Sequence, residues 1–424
     1  MMSLKYSEQA GMLDERVLMP YFQPILALDS RSVIGYEVLG RCRTEDGGVA
    51  SLGPFFTDAN ADVREQVRVD RIIRERAIAR LAKAAEAQRP LLFLNVKPSW
   101  IDKIYQNGEK LYTLHMLEQH GIDPGRVVIE ITEDRFAGSM QRLSEVVGIY
   151  RSAGCRIAID DTGTGFNSAD RIAELNPDIL KVDIHLMKRS ASHSGYLAVL
   201  RSYSALAEQI GASLLIEGVE TEEDLQRAIQ LGARYVQGYL FAPAEPDFQP
   251  KDRFARIVDR GLSQHRLNVR RSEARWRETG ELLAGCLQTV RRGMGDAGGP
   301  AGDADRYDEL VGGLLEILPD SCIRVYLCRD DGEQLSSNFQ REDGRWLRQP
   351  EYRGSNWSWR PYFVADILQP AAGMNANISR SYADLGTRQW IRTISASLAQ
   401  GLIVLFDIVD EDAAVRSDGP GLKE

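Results

Sequence analysis

Cysteine and histidine are scarce in this chain of 424 residues, which contains five of each. The cysteines form no CxxC pair and have no metal-finger spacing, so they predict reduced, buried thiols rather than zinc ligands or disulfides. The histidines show neither metal-ligand spacing nor the order of a Ser-His-Asp triad. We therefore assign them no catalytic role.

Long apolar runs and surplus positive charge are also missing. No run approaches the ~20 residues needed to span a bilayer, and the charged N-terminal residues do not form the apolar core of a signal peptide. The 61 acidic residues outnumber the 52 basic ones, giving a net charge of −9, which argues against a general nucleic-acid binder. We expect a cytoplasmic protein with no membrane span and no nucleic-acid partner. A small anionic ligand would need metal ions and a few placed Arg or Lys side chains.

Oxygen-bearing side chains recur at the ends of short apolar runs. They are Glu37, Asn95, Glu130, Asp160 with Asp161, Asp183 and Glu217. The runs are separated by stretches long enough for a helix, which predicts parallel strands with crossover helices. Oxygen donors gathered at the carboxyl ends of such strands form a site for hard divalent cations. Lys181 lies within one of the runs, in the middle of this series.

Strand–helix units repeat from about residue 17 to 245. This pattern fits either a closed (β/α) barrel or a doubly wound open sheet. The barrel is favoured because nearly every strand supplies a candidate site residue, whereas an open sheet concentrates them at one switch point. Helices are predicted over Asp62–Arg89 and Tyr196–Ile210, the second ended by Gly211.

The remainder of the chain predicts a connector and a second domain. Lys251–Arg291 indicates one or two helices, and its mixed charges favour a solvated connector over a membrane- or partner-binding basic helix. A Gly-rich linker follows. A helix over Tyr307–Leu318 then precedes strands at Ser321–Cys328, Glu333–Gln340 and Leu402–Val409, which predicts an α+β domain with an antiparallel sheet. The predicted boundaries are 1–247 for the barrel, 248–305 for the connector and linker, 306–411 for the second domain and 412–424 for a disordered tail.

The pair Asp160-Asp161, followed by Thr162-Gly163-Thr164-Gly165, is the sharpest local signal. Adjacent carboxylates can each face a different cation, or one can bridge both, and the glycines allow a tight loop. Alone, the Gly-x-Gly would indicate an ordinary turn. Likewise, any one of the other carboxylates could be a solvated group at a strand end. Their occurrence together in barrel order favours a metal site.

A series of motifs stands in the order of a known family. The motifs are Gln23-Pro24-Ile25, Glu37-Val38-Leu39 with Arg41, Asn95, Glu130-Ile131-Thr132-Glu133, Asp160 to Gly165, Lys181-Val182-Asp183, Glu217-Gly218-Val219-Glu220 and Gln237-Gly238-Tyr239. Over about residues 15 to 247 the chain resembles the EAL-domain cyclic-di-GMP phosphodiesterases. The resemblance implies a modified TIM barrel that binds cyclic di-GMP and hydrolyses it to linear pGpG.

The resemblance also implies roles for individual residues. Glu37, Asn95, Glu130 and Asp160 match the ligands of one Mg²⁺ or Mn²⁺ ion, and Asp160 would bridge to a second ion held also by Asp161. Lys181 would position the attacking water or stabilise phosphoryl charge, and Glu217 would be a general base or a ligand of the second ion. The remaining matches are Glu133, which anchors the loop after Asp161; the substrate-binding positions Gln23, Leu39 and Arg41; and Asp183 and Gln237, which orient ligands and water beside the substrate.

Three departures from the family pattern leave the activity open. The first motif reads Glu-Val-Leu-Gly-Arg rather than Glu-Ala-Leu-Leu-Arg, Thr162 replaces Phe, and Asn95 is followed by Val96-Lys97-Pro98 rather than Leu-Ser. All ionic ligands are present, which favours a competent but slow or regulated enzyme. The alternatives are a non-catalytic cyclic-di-GMP receptor and a dimerising scaffold. Because EAL relatives commonly dimerise, a homodimer is expected in each case.

The segment Asn356–Phe363 contains clustered aromatic residues and one arginine. It could form a corner of the core or a pocket for an unknown small ligand, with Arg360 binding a carboxylate and Asp384 an amine. Its Arg-Pro-Tyr-Phe sequence resembles the pocket segment of PAS/Cache-like sensor domains. The order of barrel, connector helix and PAS-like domain resembles the YkuI-type EAL proteins.

Overall fold

A computed structural model describes most of the chain. The described residues are 13–58, 60–104, 111–132, 139–160, 169–190, 193–294, 304–360, 363 and 376–411. The chain forms two compact units, of which the first ends at Arg266 and the second begins at Leu267. This division falls within the segment 248–305, which the sequence predicts to be a connector. The predicted tail at 412–424 lies outside the described residues.

The first unit alternates strands and helices. Its strands are β1 (Leu18–Ala27), β2 (Ser32–Arg43), β3 (Val49–Ser51), β4 (Leu91–Val96), β5 (Val127–Ile131), β6 (Arg156–Ile159), β7 (Ile179–Val182), β8 (Ser213–Ile216) and β9 (Tyr235–Val236). Its helices are α1 (Gly53–Thr57), α2 (Val63–Ala82), α3 (Pro98–Ile104), α4 (Tyr112–Gln119), α5 (Met140–Ala153), α6 (Ala169–Leu175), α7 (Ile184–Ser190), α8 (Ser194–Ile210) and α9 (Glu222–Gln230). Helix α10 (Ala255–Met294) spans the division between the units.

The sheet of the first unit closes on itself. Within the described residues its strands follow the order β1-β9-β8-β7-β6-β5-β4-β2, and β1 pairs with β2 to complete the ring, while β3 pairs with β2 outside it. Strand β1 runs antiparallel to both neighbours, whereas the pairs from β2–β4 to β8–β9 are parallel. The predicted barrel is therefore confirmed over the open sheet, with one strand reversed.

Helix ends follow local capping chemistry. The Asp62 carboxylate accepts a hydrogen bond from the Arg64 amide at the start of α2. That helix ends at Ala82 rather than at the predicted Arg89, and the Arg89 guanidinium turns back and donates to the carbonyls of Ala82 and Ala84. The predicted end of α8 is confirmed, since Gly211 adopts the left-handed conformation at φ 73°.

An apolar layer fills the barrel interior. It consists of Ile25, Ala27, Leu91, Phe93, Val128, Ala158, Ile179, Leu215 and Tyr235. Successive side chains of a strand point to opposite faces, so a residue two positions further along shares the same face. Phe93, Val128, Ala158, Ile179, Leu215 and Tyr235 each stand two residues before a candidate site residue. The candidate polar residues therefore form the next layer above this apolar one.

The second unit is built on an antiparallel sheet. Its elements are α11 (Ala304–Gly312), β10 (Cys322–Arg329), β11 (Asn338–Glu342), β12 (Arg345–Gln349), β13 (Asn377–Ile378), β14 (Tyr382–Ala383), β15 (Trp390–Ala399) and β16 (Leu402–Val409). The strand order is β12-β11-β10-β16-β15-β13, with β14 also paired to β15. The predicted antiparallel sheet is confirmed, and the bounds of β16 are those predicted. Strand β15 escaped the sequence analysis because Arg392, Thr393, Ser395 and Ser397 interrupt its apolar residues.

Both faces of this sheet are covered. Val325 and Leu327 of β10 belong to one core, which also contains Trp276 and Leu283 of α10. The alternate residues Tyr326 and Cys328 belong to a second cluster with Phe363 and Leu405. Such alternation along a strand is typical of a sheet buried on both sides.

Asp384 is bound by a side chain of the protein itself. Arg324 donates to both Asp384 oxygens, at 2.9 and 3.0 Å, and to Asp407 at 3.0 Å. Burial would raise the pKa of the Asp384 carboxyl, but the bonds from Arg324 and Thr387 lower this pKa to about 2. Arg324 thus takes the place of the ligand amine that the sequence predicted for Asp384.

Of the described helices, none has the length and apolar composition required to cross a membrane.

Gly35 on β2 makes room for the apolar layer, which gives a test of the interior packing. A Cβ at this position would lie 2.8 Å from the Leu91 carbonyl oxygen and Cβ and 2.9 Å from the Phe93 ring. We expect Gly35→Ala to lower the free energy of unfolding by about 1–3 kcal/mol, the usual effect of overpacking. Gly148→Ala is the control, because a Cβ there meets nothing within 4 Å and lies in helix α5. Equal stability of the two variants in thermal and urea unfolding would contradict the tight interior.

Candidate active site

The candidate residues meet at the carboxyl ends of the parallel strands. Glu37, Asn95, Glu130 and Lys181 lie on β2, β4, β5 and β7, whereas Asp160, Glu217 and Gln237 directly follow β6, β8 and β9. Asn95 is in register with Glu130 across the β4–β5 pair. Because the polar residues come one layer above the apolar interior, their side chains face the axis of the barrel.

Lys181 lies at the centre of this group. Its ammonium nitrogen is 2.7 Å from Glu130 Oε1, 3.0 Å from Asp160 Oδ1 and 2.5 Å from Glu217 Oε1. The Lys181 side chain is 1% exposed and that of Glu130 is 0% exposed. Three strands and the turns after them thus bring three carboxylates onto one buried cation.

The charges of this cluster shift one another's pKa values. Burial lowers the pKa of the Lys181 ammonium, but the surrounding carboxylates outweigh burial and raise this pKa well above its ordinary value. Burial raises the pKa of Glu130 and of Glu217, and Lys181 opposes the increase without cancelling it. Glu37 also acts on Lys181 electrostatically. Lysine therefore stays charged within a group that carries an excess of carboxylates.

Glu37 is held from two sides. Asn95 donates from Nδ2 to Glu37 Oε1 at 3.0 Å, and Gln237 donates from Nε2 to Glu37 Oε2 at 2.7 Å. With its amide nitrogen turned to Glu37, Asn95 has its amide oxygen available to a cation. Gln237 is buried and fixes the Glu37 carboxylate, a positioning role.

A cavity of about 230 Å³ adjoins these residues. Asn95, Leu39 and Arg41 are among its lining residues, so two of the predicted substrate-binding positions share it with a predicted metal ligand. The Arg41 guanidinium lies 5.7 Å from the centre of the Tyr21 ring. Burial lowers the pKa of Arg41, while Tyr239, Tyr21 and Glu37 raise it. The cavity combines apolar walls with a cation suited to phosphate or to a purine ring.

The other predicted residues have mixed outcomes. Gln23 is half-buried on β1 and is in register with Glu37. Asp183 directly follows β7 and accepts a hydrogen bond from the His185 amide at 2.6 Å, at the start of α7. Glu133 and Asp161 lie outside the described residues, as does Thr162.

The cluster fits a divalent cation by its donors and its charge. Glu130 Oε2 is buried without a hydrogen-bond donor among the described residues. The ion pairs of Lys181 are close but poorly aligned, since its Nζ, Glu130 Oε1 and Glu217 Oε1 make no well-angled hydrogen bond there. Within those same residues, no three Asp, Glu, His or Cys side chains are spaced to hold one ion, and three of the carboxylates contact Lys181 instead. Carboxylate and amide oxygens together with uncompensated negative charge are what a hard cation requires.

An ion pair behind Asn95 was not predicted from the sequence. Asp70 and Arg74 lie four residues apart on α2, and Arg74 Nη2 is 2.6 Å from Asp70 Oδ2. Both residues line the 230 Å³ cavity. The available signal was a charged residue, Arg74, between the apolar residues Ile73 and Ala77 on the buried face of α2.

Comparison with known proteins assigns both parts of the chain. A family model described as the EAL domain matches residues 8–244, and one described as an EAL-domain associated signalling protein domain matches residues 268–411. YkuI, an EAL-domain containing protein of Bacillus subtilis (strain 168), is 34% identical over 393 residues, which cover 92% of this chain and 94% of YkuI. The cyclic di-GMP phosphodiesterase RocR of Pseudomonas aeruginosa is 34% identical over 242 residues, which cover 55% of this chain and 59% of RocR.

A solved structure is similar over nearly the whole chain. It is the crystal structure of B. subtilis YkuI in complex with substrate c-di-GMP and calcium, with a TM-score of 0.81 and 32% sequence identity. The match covers 94% of this chain and 98% of the YkuI chain. The resemblance read from the motifs is confirmed, including the YkuI-type order of the two domains.

Lys181→Met tests the charge balance of the cluster. Without its ammonium, buried carboxylates lose their partner, so we expect the free energy of unfolding without divalent cations to fall by about 3–5 kcal/mol. Added Ca²⁺ or Mn²⁺ should then raise the melting temperature more in the variant than in the wild type. Lys188→Met, which removes the exposed Lys188–Glu220 pair, is the control and should change little. If neither EDTA nor added divalent cations change the melting temperature of the Lys181 variant, the cation site is contradicted.

Proposed function

Because the chain belongs to the EAL-domain family, we propose that it hydrolyses one phosphodiester bond of cyclic di-GMP, giving linear pGpG, with the help of divalent cations. The observation that carries this proposal is the ion cluster of Lys181 with Glu130, Asp160 and Glu217. Asn95, which donates to Glu37, also lines the cavity that contains Leu39 and Arg41. RocR, which carries the name of a cyclic di-GMP phosphodiesterase, and the YkuI complex with c-di-GMP support the choice of substrate.

Glu37, Asn95, Glu130 and Asp160 would hold the first cation, and Asp160 with Asp161 the second, with Mg²⁺ or Mn²⁺ as the proposed ions. When bound, such ions supply Lewis-acid stabilisation of phosphoryl charge and make water more acidic. The protein's own groups would divide the remaining work. Water attacks phosphorus as the opposite phosphorus–oxygen bond breaks, and the leaving oxygen takes up a proton.

Lys181 and Glu217 have complementary roles in this proposal. The Lys181 ammonium stays charged in a buried site, so it can stabilise negative charge that develops on the phosphoryl oxygens. Glu217, whose pKa is raised by burial, can accept the proton of the attacking water. Arg41 would bind the dinucleotide through its guanidinium, and Gln237 would keep Glu37 in place.

Hydrolysis and binding are separated by one assay. Purified full-length protein with Mn²⁺ or Mg²⁺ should convert cyclic di-GMP to pGpG, measured by chromatography. Glu37→Gln should reduce turnover to the level of the EDTA-treated wild type, because it removes a ligand charge held by Asn95 and Gln237. Asp247→Asn, which loses only an exposed pair with Arg80, should retain full activity. Tight binding of cyclic di-GMP without any product would instead identify a receptor.

The second unit is proposed to regulate the barrel. Its family model is described as a signalling protein domain, and its sheet has hydrophobic clusters of its own. A PAS-like fold, a small ligand in this unit and a homodimer stay predictions. A chain that ends at Arg266 should differ from the full chain in kcat, KM or oligomeric state, measured by pGpG production and light scattering. If the truncated and full chains have the same kcat, the same KM and the same oligomeric state, regulation by this unit is contradicted.

A further inference from the structure

We infer that Arg74 is a positioning residue that fixes Asn95 in the orientation needed to bind a cation. The inference rests on the proposed function, because it concerns a side chain that would hold the metal. It adds a residue of helix α2 to a site that is otherwise built at the ends of strands.

Arg74 contacts Asn95 through the main chain. Its Nη2 donates to the Asn95 carbonyl oxygen at 3.0 Å, and the same nitrogen donates to Asp70 Oδ2 at 2.6 Å. Its Nη1 donates to Thr113 Oγ1 at 2.6 Å. The planar guanidinium is therefore held by three partners on α2, β4 and α4, which leaves it little freedom to move.

The far end of this network is also anchored. Thr113 is buried on α4, and its hydroxyl lies 3.3 Å from the hydroxyl of Tyr150 on α5. Arg74 itself is 7% exposed. Because Arg74 and Thr113 are both buried, the hydrogen bond between them is shielded from water.

The two ends of Asn95 are thus fixed by different partners. Arg74 holds the backbone carbonyl, and Glu37 accepts from the side-chain amide nitrogen at 3.0 Å. A rotation of β4 at Asn95 would break both bonds. With both in place, the Asn95 amide oxygen keeps one direction, as a metal ligand must.

A purely structural role is the competing explanation. Asp70 and Arg74 form an i,i+4 pair on a helix, and such pairs occur without any link to a site. A structural role would change the unfolding free energy but not the affinity for a metal. Cation affinity, measured without turnover, therefore separates the two explanations.

The test compares Mn²⁺ binding and turnover in matched variants of the full chain. Arg74→Met keeps the length of the side chain but removes its donors. We expect Mn²⁺ affinity, measured by electron paramagnetic resonance of the free ion, to fall roughly 10- to 100-fold, with a parallel loss of kcat. Arg76→Met is the control. Arg76 is on the same helix and donates to the Leu18 carbonyl, so its loss should leave Mn²⁺ affinity unchanged.

A second variant covers the case in which Arg74→Met does not fold. The double change Asp70→Asn with Arg74→Met removes both charges and the donor to Asn95 without leaving a lone carboxylate. It should show the same loss of Mn²⁺ affinity. A folded variant of either kind with wild-type Mn²⁺ affinity would overturn the inference. Wild-type protein that binds Mn²⁺ but forms no pGpG would contradict only the proposed function, and the affinity series would still decide on Arg74.

Discussion

One electrostatic balance organises the barrel. The buried ammonium of Lys181 contacts the carboxylate of Glu130, which is equally buried, and those of Asp160 and Glu217, whose side chains are 12% and 19% exposed. Burial alone would drive Lys181 towards its neutral form and Glu130 and Glu217 towards theirs. Each charge therefore depends on the others. Among the described residues, Lys181 Nζ, Glu217 Oε1 and both Glu130 oxygens make no well-aligned hydrogen bond. Burying such a cluster costs desolvation free energy and so lowers the stability of the fold. A ligand that supplies further positive charge explains best why the cluster is there.

The fold meets this demand by stacking layers. Six of the barrel strands place an apolar side chain in the interior and, two residues further on, a polar one at the carboxyl edge. The apolar layer excludes water from beneath the charged side chains of Lys181, Glu130, Asp160 and Glu217. The strands fix the distances between these side chains across the barrel. Gly35 shows how little space the interior offers, since even one methyl group would meet the main chain of Leu91. The helices supply a further support where Arg74 contacts β4.

The sequence was sufficient where function and local chemistry leave a pattern. Glu130, Lys181 and Glu217 follow or lie within short apolar runs, so their convergence could be predicted, and Gly211 marked the end of α8. Long-range partners leave no such pattern. Nothing near Asp384 in the sequence indicates that Arg324 binds it. Arg74 was missed because a charged residue on the buried face of a helix has no predictable partner until the packing is known.

Because β1 runs antiparallel to its neighbours, its first residue lies at the rim where the parallel strands end. Leu18 pairs with Cys42 near the carboxyl end of β2, so the main chain comes into β1 from the same rim that carries Glu37 and Asn95. In a barrel whose strands are all parallel, the first strand would begin at the opposite rim. An affinity tag or reporter domain fused ahead of β1 would therefore be attached on the side from which a dinucleotide must approach. The length of its linker then becomes a variable of any kinetic measurement.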